Sequence, residues 1–444
     1  GVSGISRDLS ASKVGKYLTR VFPKIEGTFE SPIDIKIDDK LMCPAFAGRY
    51  IKNVKNCESP DWLKLKLKSI GLRPISALVD ITNYVMYDQN RPLHVYDADK
   101  IDKKIIVRSA IENETLKALD EKEYVLSKDM CVIADESKAL GLGGIMGGES
   151  TGCTEKTINV LLESALFDPI NTAKTGRKLS ILSDARYRFE RGIDPLSVMV
   201  GIDQASQLIS EICGGEFSNI VLSGSIEESK RYLRIATNRI NKRLGLSLEK
   251  IEIMEILNSL GIECKEEKEY IECSIPTWRQ DINCEADISE EIIRIKGYDF
   301  IPSSNIRASK KINDSILSNE LKTLSKSKRF VASLGYNELV TYSFTNSKDC
   351  ISFADVENLR IVNPISDELD ILRPSLIPNL LNAIKKNQSR GIENFQIFEA
   401  GSQYSSSTPG DQFNSLVGIK SGINKKKSWS CLLYTSDAAD EVRR

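Results

Sequence analysis

Between Pro44 and Gly215 the chain breaks into short apolar runs, each closed by turn-forming residues. Phe46-Ala-Gly-Arg-Tyr-Ile51, Ile105-Ile-Val-Arg108, Cys131-Val-Ile-Ala134 and Thr157-Ile-Asn-Val-Leu-Leu162 have the length and the β-branched content of strands. Helical patterns lie between them, over Trp62–Ile70 and over Ser197–Ile212. Strands and helices interleaved at this spacing predict one α+β domain.

One core cannot serve the whole chain. Single cores stop growing near about 250–300 residues, and 444 residues predict about three domains. Residues 1–27 offer a short amphipathic helix with Ile5, Leu9, Val14, Tyr17 and Leu18 apolar, followed by a Pro-Lys-Ile-Glu-Gly linker. Residues 231–303 read as a compact second unit. It holds a helix over Ala236–Gly245 stopped by glycine and a second helix over Ser247–Leu260. An antiparallel pair around residues 262–265 and 270–275, a Pro-Thr-Trp turn and a last helix from about Ala286 to Lys296 complete it. A third unit starts near Ser315 and includes Phe330–Phe344 and Asn394–Gly401. No repeat of period 20–50 residues is present.

Composition narrows the function classes. Hydrophobic content of 41% and charged content of 28% are those of an ordinary globular protein, and no run of about 18 apolar residues predicts a membrane span. Ten cysteines stand singly without a Cys-x-x-Cys pair, which argues against a disulfide framework or a zinc site and fits a reducing, cytoplasmic setting. With 61 basic and 62 acidic residues the net charge is −1, so any RNA contact is local or belongs to a partner, and DNA binding is not expected. The start reads as the middle of a domain and carries no secretory signal, so the chain is expected to be a fragment. Residues 431–444 continue no hydrophobic period, resemble a translated sequencing adapter, and are set aside as artefactual.

Four stretches carry residue types suited to chemistry. The single histidine, His94, lies in Arg73–Asp97 among Asp80, Thr82, Asn83 and Asp97, where it serves either a site or the interior. The cluster Gly141-Leu-Gly-Gly-Ile-Met-Gly-Gly148 fits neither phosphate-loop pattern; it is either a tight turn or a ligand-facing wall of backbone. Glu163 follows a run of valine and leucine, so it ends a strand or points from a buried sheet, where it serves either a site or an ion pair with Arg177 or Arg188. Asp287, Glu290 and Glu291 share one helical face and Asp281 can join them. This is either a hard-cation site or an acidic helix start compensated by Arg294.

Taken in order, Arg73–Asp97, Gly143–Gly148, Glu163-Ser-Ala-Leu-Phe-Asp-Pro169, Arg188-Phe-Glu-Arg-Gly-Ile-Asp-Pro195 and Pro276-Thr-Trp-Arg-Gln-Asp281 resemble the beta subunit of bacterial phenylalanyl-tRNA synthetase. The resemblance runs from residue 1 to about 420 and omits that family's N-terminal oligonucleotide-binding and C-terminal anticodon-binding domains. It implies an α+β multidomain chain. Residues 1–40 are an N-terminal remnant and linker, and residues 41–216 a mixed α/β domain that hydrolyses mischarged Tyr-tRNA. Residues 228–304 are a small winged-helix-like magnesium-binding domain. Residues 312–430 are a truncated, inactive, class II synthetase-like antiparallel-sheet domain.

The resemblance also implies roles. Glu163 would read the tyrosine hydroxyl, and His94, Thr82 and Asn83 would surround the reacting ester. Gly144 and Gly147 would form the wall and Ala185 the small pocket floor. Asp281, Asp287, Glu290 and Glu291 would hold Mg²⁺. In the third domain Leu372-Arg-Pro-Ser-Leu-Ile-Pro and Phe398-Glu-Ala-Gly echo core motifs, but no arginine set for ATP is evident. The implied partners are an alpha subunit, in an α₂β₂ assembly that binds ATP at alpha, and the phenylalanine tRNA. The implied function is a ligase subunit with an editing site, with a non-catalytic scaffold as the alternative.

Overall fold

A computed structural model describes residues 1–226, 231–305 and 316–422, and the chain divides into two compact units, Gly1–Ser304 and Asn305–Arg444. The tail at residues 431–444 lies outside the described residues.

The first unit is built around two sheets. One has four antiparallel strands in the order Glu216–Gly224, Ala45–Lys52, Val160–Leu166, His94–Asp97. The other has five, in the order Asp34–Ile37, Lys104–Ser109, Cys131–Ala134, Ala139–Leu142, Met146–Gly147, with only the first pair parallel. Side chains alternate across a strand. Val160, Leu162 and Val95 therefore point to one face of the four-stranded sheet, where they meet Ile81 and Val85 of helix Ala77–Gln89 and Val198 and Ile202 of helix Ser197–Ile212. Leu161, Ala165 and Tyr96 point to the other face, where they meet Ile35, Ile105, Val107 and Ile133 of the five-stranded sheet. Helices cover one side and a second sheet the other. Both faces are buried, which is why the central strands read as unbroken apolar runs rather than as alternation.

Two expectations need correction in this unit. The strand foreseen at Thr157–Leu162 is displaced to Val160–Leu166 and runs straight through Glu163 and Ser164. Of the two readings of Glu163, a strand end or a residue pointing from a buried sheet, the second is found, since the strand is buried on both faces. The N-terminal helix is Val2–Ala11, and the chain turns at Lys13 with φ 61°, so Val14, Tyr17 and Leu18 fall beyond it. Its own apolar residues Ile5 and Leu9 are exposed, while Ser3 and Ala11 are buried.

Toward the end of this unit, strands Arg231–Ile235, Ile271–Ile275 and Glu263–Glu266 form an antiparallel sheet in that order. Helices Thr237–Leu244, Lys250–Ser259 and Glu285–Lys296 share its core through Ile240, Ile253, Leu257, Ile288 and Ile292. Gly245 closes the first of these helices at φ 68°, the left-handed stop anticipated from sequence. Strand Arg231–Ile235 was not foreseen, since five residues with two arginines give too little alternation to read.

In the second unit, strands Asn337–Glu338, Phe395–Tyr404 and Gln412–Ser421 form a sheet, parallel then antiparallel, and Leu380 and Ile384 of helix Ile377–Gln388 pack on Phe395 and Ile397. The two motifs singled out in sequence meet here. Arg373 Nη1 lies 2.7 Å from Glu399 Oε1, both are buried, and Arg373 Nε donates to the Ser402 carbonyl at 2.8 Å. A Cβ at Gly401 would stand 2.5 Å from Arg373 Nη2, so that glycine leaves room for the guanidinium. Fully buried pairs of this kind rarely add stability over apolar packing, but losing one partner costs about 3–5 kcal/mol.

Candidate functional site

His94 and Glu163 are direct cross-strand partners, in the register that pairs Glu163 with His94 and Leu161 with Tyr96. The period of two then fixes the rest. His94, Tyr96 and Glu163 lie on the face turned toward the five-stranded sheet, and Tyr96 is the diagonal neighbour within reach of Glu163. The opposite wall is the glycine cluster. Gly141 belongs to strand Ala139–Leu142, and Gly147 to Met146–Gly147, which pairs back onto it. A small cavity of about 70 Å³ opens between them, lined by His94, Tyr96, Gly144, Met146, Gly147, Glu163, Phe167, Ala185 and Phe189.

The wall is made of glycine because nothing larger fits. A Cβ at Gly147 would sit 2.4 Å from His94 Cε1, and one at Gly144 would sit 2.9 Å from Phe167 Cδ2. Gly144 also adopts φ +70°, a backbone state that costs other residues about 1 kcal/mol or more. Phe167 and Phe189 meet edge to face with centroids 5.1 Å apart and close one side. Ala185, on the short helix Asp184–Phe189, is half-buried and faces the same space. The glycine cluster is a tight hairpin turn, and Gly141, Gly144 and Gly147 of that hairpin line the cavity.

Glu163 is 6% exposed and has no salt bridge; Arg188 pairs with Asp184 instead, and Arg177 donates to the Ala173 carbonyl. Its partner is the Tyr96 hydroxyl, which donates to Glu163 Oε2. Burial pushes the carboxyl up to about 7, with the Tyr96 bond offsetting part of that rise. Burial pushes His94 the other way, to about 4, so its ring is neutral at physiological pH. His94 Nε2 is buried without a hydrogen-bond partner, and the ring packs edge to face on Tyr96 at 4.4 Å. A neutral imidazole with an unsatisfied nitrogen, beside a carboxyl that titrates near neutrality, can accept, donate and orient polar groups of a small ligand.

Sequence reasoning placed five residues at this cavity that line it: His94, Glu163, Gly144, Gly147 and Ala185. Thr82 and Asn83 are not among the lining residues. They belong to helix Ala77–Gln89 on the other side of the sheet, and the buried Thr82 hydroxyl donates to the Val79 carbonyl at 2.7 Å. Asp80 and Asp97 are structural too, accepting from Ser59 at 2.6 Å and from Thr157 at 2.8 Å. Sequence reasoning missed Tyr96, although its two-residue spacing from His94 in a strand was the signal for a shared face. It also missed Arg91, 0% exposed. Its guanidinium donates to the Ala165 carbonyl (2.7 Å), Ser197 Oγ (2.8 Å) and the Asp194 carbonyl (2.5 Å). That clamp joins the end of the Glu163 strand to the start of helix Ser197–Ile212, three residues ahead of His94.

The acidic quartet is arranged differently from a cation cage. Asp281 takes two bonds from Arg279, at 2.9 and 2.7 Å. Glu291 takes bonds from Arg279 at 2.6 Å and Arg294 at 2.7 Å. Burial pushes the Glu291 carboxyl up, but the two arginines outweigh it and hold it below the ordinary range. Asp287 caps its own helix, accepting from the Asn283 and Cys284 amides at 2.7 and 2.9 Å, and Glu290 is exposed. Among the described residues no group of three or more such side chains is gathered as a metal site. Arginine supplies the counter-charge here, so in this arrangement the four carboxylates do not fit Mg²⁺ as ligands.

This architecture, two sheets with a small cavity between them and then a separate helix-and-sheet module, corresponds to known domain families. Residues 42–214 match the B3/4 domain, residues 233–298 the tRNA synthetase B5 domain, and residues 301–440 the phenylalanyl tRNA synthetase beta chain CLM domain. The chain is 42% identical over 426 residues to the phenylalanine–tRNA ligase beta subunit of Ruegeria pomeroyi, covering 95% of this chain and 53% of that one. It is likewise 42% identical over 445 residues to that of Paramagnetospirillum magneticum, covering 99% and 56%. The chain belongs to the phenylalanine–tRNA ligase beta subunit family. It spans about half the length of the curated relatives it matches. An N-terminal fragment of the phenylalanyl-tRNA synthetase beta subunit from Pyrococcus horikoshii covers 62% of this chain and 78% of its own at 17% identity, with a TM-score of 0.31.

Proposed function

We propose that this chain serves a cytoplasmic phenylalanine–tRNA ligase as its beta subunit, and that the cavity at Glu163 removes tyrosine wrongly attached to the phenylalanine tRNA. The observation that carries this reading is the pairing of Glu163 with His94 across two strands, both opening into a cavity walled by Gly144, Gly147 and Ala185. A synthetic pocket for phenylalanine cannot strongly reject a side chain that merely adds a hydroxyl, about 10²-fold at best. A pocket built to bond that hydroxyl discriminates by about 10⁴ or more. Glu163 supplies the acceptor. The cavity of about 70 Å³ equals roughly two waters' share of liquid volume, enough for the phenol end of the side chain. Met146 lines the same cavity, and its unbranched thioether can repack at low cost to admit the ring behind it. His94, neutral and with a free nitrogen, orients the water or the ester carbonyl. Thr82 and Asn83, outside the wall, are assigned no step.

Attachment of phenylalanine with ATP belongs, on this reading, to an alpha subunit. Exposed apolar residues on the second unit favour such a partner. Phe330 is 65% exposed, Tyr342 73% and Val340 87%, and no residue of helix Asn319–Ser333 is buried. The Mg²⁺ site implied by Asp281, Asp287, Glu290 and Glu291 would require Arg279 to release Asp281 and Glu291, and Arg294 to release Glu291, on contact with that partner. No step here depends on it. The test is deacylation of tyrosyl-tRNA by the full-length complex, wild type against Glu163→Ala. We expect a loss of about a hundredfold or more in the variant, since its hydroxyl acceptor is gone. Equal rates above background would leave the scaffold reading.

A further inference from the structure

Glu163 already holds a phenol. The Tyr96 hydroxyl donates to Glu163 Oε2 inside the cavity, and Tyr96 is itself 1% exposed, wedged between its strand and the five-stranded sheet. Its ring is fixed by the edge-to-face contact with His94 at 4.4 Å and by its register opposite Leu161. The carboxyl group therefore has one oxygen committed to a side chain of this protein, with the other left for a second donor.

We propose that Tyr96 is a specificity-determining positioning residue of this site: its hydroxyl orients Glu163 and keeps it an acceptor, so that the remaining oxygen, Oε1, selects a substrate phenol over a benzyl group. This rests on the proofreading reading and extends it to a residue two positions from His94. A carboxyl free to rotate or to hold a proton would offer an incoming hydroxyl a donor as readily as an acceptor, and would tolerate phenylalanine better. Tyr96 restricts both freedoms with one bond. The same bond favours the ionised carboxyl, offsetting part of the effect of burial. The other titratable groups facing Glu163 are His94 from its own sheet, and Cys43 and Cys131. Burial pushes Cys131 up to about 12 and Cys43 well above its ordinary range, so neither thiol ionises where Glu163 does.

The experiment compares deacylation of tyrosyl-tRNA and phenylalanyl-tRNA by the full-length complex between about pH 5.5 and 9, for wild type, Tyr96→Phe, Glu163→Gln and the double variant. The ratio of the two rates cancels hydroxide-driven background. Wild type should gain tyrosine preference with a midpoint near 7, as Glu163 ionises. Tyr96→Phe should move that midpoint upward; a rise of about one pKa unit lowers the ionised fraction, and with it the preference, about fivefold at pH 7 and about tenfold below pH 6, with the gap closing toward pH 9. A merely structural lesion would lower the ratio equally at every pH. Adding Tyr96→Phe to Glu163→Gln should change little, because the partner it acts through is gone. Wild-type preference that Glu163→Gln abolishes but Tyr96→Phe leaves unmoved, in ratio and in midpoint, overturns the role of Tyr96 while the proofreading reading stands. No tyrosine preference in wild type overturns both.

Discussion

At the scale of single residues, the centre of the site is a carboxyl that the fold would be more stable without. Shifting Glu163 from the ordinary glutamate value of 4.5 to about 7 costs roughly 3 kcal/mol of the stability of the folded chain when the group is ionised. That equals the full burial of one or two aliphatic side chains, at about 1.5–3 kcal/mol each, and flanking Leu161 and Leu162 in the same strand offset it. The folded chain binds this proton more tightly than the unfolded one. The stability is therefore fully present below about pH 4.5 and lost as pH rises through 7. Glu163→Gln, which cannot ionise, is expected to melt higher than wild type at pH 8, by up to about 3 kcal/mol in stability, with the difference vanishing near pH 4. Thermal denaturation across that range checks it; a constant difference at all pH values would show that Glu163 does not titrate as its burial dictates. His94 has the opposite sign, its contribution being lost as pH falls from about 6.5 toward about 4.

At the scale of elements, the site is two strand pairs held face to face, and it depends on the narrowness of the Ala139–Leu142 and Met146–Gly147 hairpin. Gly147→Ala places a methyl 2.4 Å from His94 Cε1 and must displace the ring. We expect tyrosyl-tRNA deacylation to fall about a hundredfold, the cost of misplacing a catalytic group by about 1 Å, while the far-ultraviolet spectrum of the chain is retained. Undiminished deacylation would place the reacting ester away from this hairpin. Much of this geometry was legible beforehand. Five glycines in eight residues pointed to a tight turn or a backbone wall, and strands Ala45–Lys52 and Cys131–Ala134 and helix Ser197–Ile212 stood where their composition put them. What escaped is what depends on register. Which side of the sheet helix Ala77–Gln89 covers decides that Thr82 and Asn83 stay off the cavity, and pairing of His94 with Glu163 rather than with a neighbour brings Tyr96 into play. A one-residue slip would reverse both, and no local pattern encodes it. Arg91 escaped for a related reason, since its partners are carbonyls and a hydroxyl up to 106 residues away.

At the scale of the molecule, the chain has a small cavity in one unit and exposed apolar residues in the other. If alpha-subunit contact draws Arg279 away from Asp281 and Glu291, then Asp287→Ala with Glu290→Ala should reduce bound magnesium and weaken the complex about tenfold or more in dissociation constant. Metal analysis of the purified complex and sedimentation of the variant check this. Unchanged metal content and an undisturbed complex would leave arginine as the permanent counter-ion. No helix among the described residues is long and apolar enough to cross a membrane.

The most direct test of the account is single-turnover deacylation of tyrosyl-tRNA and phenylalanyl-tRNA by the full-length complex, with wild-type chain and with Glu163→Ala. The account predicts that wild type strips tyrosine in strong preference to phenylalanine and that the variant loses the preference. Identical rates for wild type and variant on tyrosyl-tRNA would contradict it.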